Sequence, residues 1–255
     1  MFLTIAAALL AAQADPATLA PAGKWTVDYG SDCTLTRAFA SPGGQVTLGL
    51  RPNIGQPGGD LVVVLPGAGR KRFGRVVVGI GPSRDRYEAK YARVPVAGKP
   101  FHGMTLEPAD AMWAALPGAS EITVEAPGER PLRFATGRVD RAVAALRTCR
   151  EAQLSFWGAD PAALITGMPS DRSIGRAYNA SFYPLTALKA GEEGRVIALL
   201  EVDKGGAVTN RRAVRSVGPA LDAATFARAG RLVYPGAADG PGKRWAVLSV
   251  RWWMP

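Results

Sequence analysis

Histidine and cysteine are scarce in this sequence, which has one His and two Cys among 255 residues. Protein zinc sites draw their ligands mainly from these residue types, so too few are present to build one. The single histidine, His102, lies beside apolar residues in Phe101-His102-Gly103-Met104, a setting typical of a packed structural residue. We predict neither a metal site nor a cofactor.

The usual catalytic signatures are missing as well. The sequence contains no GxSxG, no HExxH and no P-loop, and Gly67-x-Gly69 lacks the third glycine of a dinucleotide-binding loop. These absences predict that the protein is not an enzyme. One alternative stays open, a hydrolase built on two carboxylates, because acids from any part of a chain can converge in a fold.

Long hydrophobic runs are absent beyond the first residues. The opening run, MFLTIAAALLAAQA, ends in Ala12-Gln13-Ala14, the small-x-small pattern that a signal peptidase recognises. It predicts a signal peptide at residues 1–14 and a mature start at Asp15. A run of about 12 residues is too short to span ~30 Å of hydrocarbon. No Lys or Arg precedes it, so a start upstream of Met1 and a buried or anchoring helix stay open as alternatives.

The two cysteines, Cys33 and Cys149, fit export, because disulfides persist in oxidising compartments. We predict one disulfide between them. Closing so long a loop would stabilise the fold by about 4–5 kcal/mol in the chain-entropy model. The alternative is two unrelated buried thiols.

Acidic residues are in the minority, and the formal net charge is +10. An exported basic protein suits anionic envelope surfaces or acidic segments of a partner, and export argues against nucleic acid as a ligand. A basic cluster formed by Arg70, Lys71, Arg72 and Arg75 falls at a predicted hairpin tip. It predicts contact with anionic lipid or peptidoglycan. An ordinary solvated turn is the alternative.

Residues 24–157 show short β-type runs separated by Gly and Pro, as in 45–50, 61–65 and 76–80. A short helix is predicted at 108–116. The strongest helix signal runs from Val139 to Leu154, with Cys149 on its apolar face. This pattern predicts an N-terminal α+β domain that is mostly β and is closed by one helix. Broken patterning predicts a linker at 158–176.

Residues 177–255 predict a second domain with the order helix, strand, strand, helix, strand. The strands are predicted at 194–202, 207–217 and 245–253, with helices at 183–189 and 219–231. Gly205-Gly206 lies between the first two strands, which is typical of a tight hairpin turn.

This C-terminal segment resembles the C-terminal domain of TonB. The resemblance rests on marks in a fixed order, namely Tyr183-Pro184, Glu193-Gly194-Arg195-Val196, Gly205-Gly206, Ser216-x-Gly218, Leu221-Asp222-x-Ala224 and Tyr234-Pro235 before a terminal β run. It implies a three-stranded antiparallel sheet with two helices, and a protein that binds an extended segment of a partner by adding it to a sheet edge.

If the last strand is the open edge, its backbone would receive the partner strand. The predicted partner-binding residues are Trp245, Val247, Ser249, Arg251 and Trp253. The expected partner is an envelope protein, such as a segment like those of TonB-dependent receptors, and edge pairing between two copies is a second use of the same strand. The alternative is that at least two of Trp245, Trp252 and Trp253 pack as ordinary core residues.

One departure from the TonB-type proteins and one further resemblance bear on the expected role. TonB-type energy transducers have an uncleaved anchor and a long Pro-rich spacer, and neither is seen here, so we expect binding in the periplasm rather than energy transduction. The N-terminal region loosely resembles the exported invasion-associated locus B family, through Trp25-x-x-Asp28 and Cys33-x-Leu35.

Overall fold

The computed structural model describes residues 18–29, 32–56, 58–83, 85–96, 98–108, 110–169, 183–236 and 242–254. The predicted signal peptide, part of the predicted linker (170–176) and residues 177–182 lie outside this range. Two sheets and several helices form an α+β fold, as the sequence predicted. Within the described part of the chain, no helix combines the length and apolar character needed to cross a membrane.

The first half of the chain forms a sheet of ten strands in the order β1-β10-β9-β6-β7-β8-β5-β4-β3-β2. All neighbouring strands are antiparallel except β1 and β10. The strands are β1 (Thr18–Leu19), β2 (Thr26–Asp28), β3 (Thr34–Ser41), β4 (Gly44–Pro52), β5 (Gly59–Pro66), β6 (Arg72–Gly81), β7 (Asp85–Pro95), β8 (Phe101–Pro108), β9 (Glu121–Glu125) and β10 (Leu132–Phe134).

The two ends of this sheet meet at a seam formed by residues 18–22. On one side Leu19 pairs with Phe134 of β10. On the other side the Ala22 N–H donates to the Ala38 carbonyl, and the Ala40 N–H donates to the Ala20 carbonyl, each at 2.9 Å. The sheet therefore curls into a barrel-like body, and closure of this kind protects strands that would otherwise be open edges.

The interior of the barrel is one apolar cluster. On β4 the side chains of Val46, Leu48 and Leu50 are buried at every second position, as expected for a strand with one face inward. Phe39 and Phe134 meet edge to face across the seam, with ring centroids 5.0 Å apart. The alternating runs in the sequence thus define which face fills the core.

Helix α2 (Asp140–Phe156) packs beside β2 and β3. Its buried residues Leu146, Cys149 and Gln153 follow steps of three and four, which place them on one face. Cys149 forms a disulfide with Cys33, with the two Cα atoms 6.0 Å apart, so the predicted bridge is confirmed. The Cys33 N–H also donates to Oε1 of Gln153. A shorter helix, α1 (Asp110–Ala115), continues into a 3-10 turn at Leu116–Gly118.

The last part of the chain forms a three-stranded antiparallel sheet in the order β12-β11-β13, with two helices. The elements are α3 (Leu185–Ala190), β11 (Gly194–Val202), β12 (Val208–Arg215), α4 (Pro219–Ala229) and β13 (Arg244–Trp252). This order confirms the architecture that the resemblance implied.

The hairpin between β11 and β12 requires glycine at position 206. Gly206 has a φ of 92°, and an added Cβ would overlap the Tyr234 carbonyl. The Tyr234 N–H donates to the Gly206 carbonyl at 2.9 Å. The turn and the Tyr234-Pro235 segment are therefore packed against each other without room for a side chain.

Candidate functional site

Strand β13 lies at an edge of the second sheet. It pairs with β11 along its length, from Arg244 opposite Val202 to Trp252 opposite Gly194. An edge strand carries a row of backbone N–H and C=O groups on its outer side, where another strand can pair. The strand that holds four of the five predicted partner-binding residues thus has the position that strand addition requires, and the fifth, Trp253, directly follows it.

Every second residue of β13 directs its backbone groups outward. The Trp245 carbonyl accepts a hydrogen bond from the Ile165 N–H at 2.7 Å, on the side away from β11. Residues of an antiparallel pair alternate between facing the partner strand and facing away, so Val247, Ser249 and Arg251 face outward like Trp245. Within the described residues, only the Trp245 end of this outer edge carries a backbone bridge.

The side chains of these residues point toward the first half of the molecule. Val247 is buried with Ile197 and Leu199 of β11, and together they pack against Ile54 and Trp157 from the first half. The opposite face of the sheet packs under α3 and α4. Both faces of the second sheet are therefore covered, and the outer backbone edge of β13 is what remains for a partner.

Beside this apolar contact lies a group of buried charges that joins the two halves. Both aspartates are nearly inaccessible, with exposed fractions of 9% for Asp32 and 4% for Asp60. We call the group the interface ion cluster; its members are Asp32, Arg51 and Asp60 from the first half and Arg195, Arg215 and Arg251 from the second sheet.

Asp60 is the centre of this cluster. Its Oδ2 lies 2.6 Å from Nη2 of Arg51, 3.2 Å from Nη1 of Arg195 and 2.6 Å from Nη2 of Arg251. Arg195 and Arg251 are directly opposite each other on β11 and β13, which explains how both reach one carboxylate. Arg215 pairs with Asp32, and Arg251 also reaches Glu107 at 2.6 Å.

The electrostatics of the cluster are set by burial. Burial lowers the pKa of Arg195, while Asp60 and Asp32 oppose that shift by favouring the charged guanidinium. The Arg195 Nε donates to Oγ of Ser249 at 2.5 Å, and its Nη2 donates to Oδ1 of Asn53 at 3.1 Å. Of the predicted partner-binding residues, Arg251 thus joins the two halves through its side chain, whereas Ser249 holds Arg195, which does so in turn.

The two tryptophans of β13 and Trp253, which directly follows it, have different surroundings. Trp252 is buried under the helices, and its indole N–H donates to Oγ1 of Thr225 at 3.0 Å. Trp245 is half-buried beside the apolar contact between the halves. Trp253 is half-buried against Phe73, with ring centroids 5.8 Å apart. Two of the three therefore pack in the way that the alternative interpretation described.

The other edge of the sheet, β12, is protected against pairing. Its register with β11 shifts twice, and the N–H of Arg211 is bonded to the side chain of Asn210 at 2.8 Å. Arg211 and Arg212 are exposed along it. Irregular pairing and exposed charges are the devices that keep edge strands from associating, so β13 is the better-suited edge.

The prediction that the basic cluster lies at a hairpin tip is wrong. Strands β5 and β6 are not neighbours, because β7 and β8 lie between them, so Arg70 and Lys71 belong to a connection that passes two strands. Three of the four cations have carboxylate partners: Lys71 with Glu193, Arg72 with Glu129, and Arg75 with Glu88.

Sequence reasoning missed the interface ion cluster. Asp32, Asp60 and Arg195 each stand next to or within a β-type run, where a charged residue on a buried face needs a partner. That signal marks such residues one at a time. It does not say which of them meet, because they come from strands that are distant in the chain. His102, by contrast, lies on β8 with Nδ1 at 3.0 Å from the Gly67 carbonyl, a structural setting.

These features define a class of molecule, an α+β protein whose C-terminal three-stranded sheet presents one protected and one open edge. Residues 179–253 match the family model of the Gram-negative bacterial TonB protein C-terminal domain. One of the motifs behind the resemblance contributes to the packing of this sheet, because Tyr183 packs edge to face on Trp252. No curated protein and no solved structure matches the chain.

Proposed function

We propose that the protein is an exported, non-enzymatic envelope protein that binds a partner by adding a partner strand to β13. The match of residues 179–253 supports an envelope-associated role in protein interaction. The observation that carries the finer proposal is the outward backbone of Val247, Ser249 and Arg251 on the less protected edge. Three outward positions along five residues offer about 17 Å of pairing length.

We further propose that the protein is periplasmic and that its two domains have different roles. We assign residues 24–157 to a supporting domain and 177–255 to the binding domain, joined by the linker at 158–176. Ile165, within the linker, bonds to the first outward position of β13, so the linker sets where a partner strand can begin. Apolar packing and the interface ion cluster support a fixed orientation of the binding edge.

The alternative, binding to an anionic envelope surface through Arg70, Lys71, Arg72 and Arg75, has less support. Three of these cations are already paired with carboxylates, which reduces the positive potential that the cluster offers to lipid or peptidoglycan. Retention on anionic vesicles that neutralising Arg70 abolishes would favour it. We rank strand addition first.

Site-specific photocrosslinking in intact Gram-negative cells tests strand addition. The crosslinking amino acid replaces Trp253, at the end of the open edge, or Thr209, on the protected edge. We expect an adduct from position 253 and none from 209. Ser249→Pro should abolish the adduct, because proline removes an outward N–H that the ladder to β11 does not use.

Two matched variants distinguish the role of the Ser249 backbone N–H from that of its side chain and from a general effect of proline. Ser249→Ala removes the hydroxyl but keeps the N–H, so it should retain the adduct, and Arg211→Pro places proline on the other edge and should retain it too. Mass spectrometry identifies the captured species; an adduct with a second copy would indicate edge pairing between copies. Equal adducts from both edges, or an adduct that survives Ser249→Pro, would contradict the proposal.

A further inference from the structure

A cavity of about 410 Å³ lies in the first half of the molecule, between α2, the α1 region and the loop that follows β4. Its walls are part apolar, with Leu50, Leu116, Val143 and Leu146, and part polar. The volume falls within the range of ~300–1,000 Å³ that is typical of small-molecule sites. No residue of β13 or of the interface ion cluster lines this cavity, although Gln56 and Gly58 in its wall also border a neighbouring pocket lined by Asp60, Arg195 and Arg251.

Three N–H donors of residues that line this cavity are buried without an acceptor among the described residues. They are Nε1 of Trp113, Nε2 of Gln56 and Nε of Arg150. Buried donors are nearly always hydrogen-bonded, because an unpaired one loses its bond to water and gains nothing in return. Three residues in the wall of one cavity thus carry hydrogen-bonding capacity that the described residues do not use.

The charge at the cavity is positive. Arg147 and Arg150 are three residues apart on α2, so they share a face of the helix, and both line the cavity. Arg147 is exposed and Arg150 is half-buried, and neither is paired with a carboxylate in any ion pair of the described residues. Burial lowers the pKa of Arg150, Arg147 lowers it further, and Glu151 opposes the shift. An anion in the cavity would relieve both the repulsion and the loss of solvation.

We propose that this cavity binds a small amphipathic carboxylate, with the carboxylate on Arg150 and Arg147 and the apolar part against Leu116, Val143 and Leu146. Guanidinium groups bind carboxylates through paired, charge-assisted hydrogen bonds. The unpaired donors of Trp113 and Gln56 are further hydrogen-bonding groups in the same wall. The apolar walls select for a ligand with a hydrocarbon body.

Isothermal titration of the full, oxidised chain with octanoate tests this site. We expect saturable binding with one ligand per chain, and an affinity that rises about fourfold per added methylene from butyrate through hexanoate to octanoate. Octanol, which has the same hydrocarbon part without the charge, should bind at least about tenfold more weakly. Inorganic phosphate, which lacks the hydrocarbon part, should also bind more weakly than octanoate.

Amino-acid substitutions test whether octanoate binds in this cavity. Arg150→Gln should weaken octanoate binding about tenfold or more, because it removes a charge-assisted bond. Trp113→Phe, which keeps an aromatic ring and removes the indole N–H, should weaken binding by a smaller factor. Arg141→Gln changes the same charge at an exposed position of the same helix and should leave affinity unchanged. Circular dichroism confirms folding, and Arg147→Gln provides a second test if Arg150→Gln fails to fold.

Three results would overturn the proposal: no octanoate binding at millimolar concentration, octanol or phosphate binding as tightly as octanoate, or equal loss of affinity in Arg150→Gln and Arg141→Gln. None of these results bears on the β13 edge, which the crosslinking experiment tests separately.

Discussion

The side chain of Asp60 connects the two halves of the molecule. Its carboxylate lies within 3.2 Å of three guanidinium groups, of which Arg51 comes from the first half and Arg195 and Arg251 from the second sheet. With Asp60 nearly inaccessible, its charge is weakly screened by solvent. The net charge of the cluster without it would be strongly positive.

We therefore expect Asp60→Asn to destabilise the protein by about 3–5 kcal/mol, because it leaves buried arginines without their counter-charge. Urea unfolding followed by tryptophan fluorescence measures the change. Glu88→Gln is the matched control, since Glu88 forms an ion pair with Arg75 in which both side chains are highly exposed. A loss in Asp60→Asn no larger than that in Glu88→Gln would contradict the assigned role.

Sequence patterns at single residues predicted some of these side-chain contacts. Cys149 on the apolar face of a helix predicted a disulfide to Cys33, and the bridge is present. The role of Arg251 could not be predicted, because its counter-charges, Asp60 and Glu107, lie far away in the chain. Periodicity shows on which face a residue lies, whereas the identity of its neighbour across an interface depends on the tertiary fold.

Among the elements, β13 combines two roles. Its side chains pack against its own molecule while the backbone of every second residue faces outward. Strand positions, and the order of elements in the second sheet, followed from alternation and turn glycines. The arrangement of the ten-stranded sheet did not, because the connection between β5 and β6 passes two strands and no local pattern marks such a crossing.

The alternation on β13 predicts an alternating pattern of amide hydrogen exchange. The N–H groups of Ala246, Leu248 and Val250 bond to β11 and should exchange slowly, whereas those of Val247, Ser249 and Arg251 should exchange much faster. Nuclear magnetic resonance exchange measurements resolve them individually. Uniform protection along the strand would show that the outer edge is already occupied.

The disulfide joins the entry of β3 to α2, across a sequence separation of 116 residues. Because it closes so long a loop, replacing Cys33 and Cys149 together by Ser should reduce stability by about 4–5 kcal/mol in the chain-entropy model. Urea unfolding of the double variant measures this loss. Treating the wild-type chain with reductant should give a similar value, and a loss below ~1 kcal/mol in both would contradict the prediction.

For the whole molecule, the apolar contact and the interface ion cluster predict that the two halves unfold together. Ile54, in a loop of the first half, is buried against the second sheet. Ile54→Asp should weaken this contact without altering the interior of either sheet, so that one calorimetric transition becomes two.

Phe156→Asp serves as the control, because Phe156 is 88% exposed at the end of α2 and a charge there replaces no packing. This variant should retain a single transition near the wild-type temperature. Two transitions in the wild-type protein would show that the halves are energetically independent despite their contact.

The seam at residues 18–22 has a consequence for the timing of folding. These residues lie far from β10 in the sequence, yet they complete the barrel only by joining it. Contacts between distant parts of a chain form slowly, because a long loop must close first. Until β10 joins, the outer flank of β1 stays open to wrong partners, so a holding chaperone would be most useful during that interval.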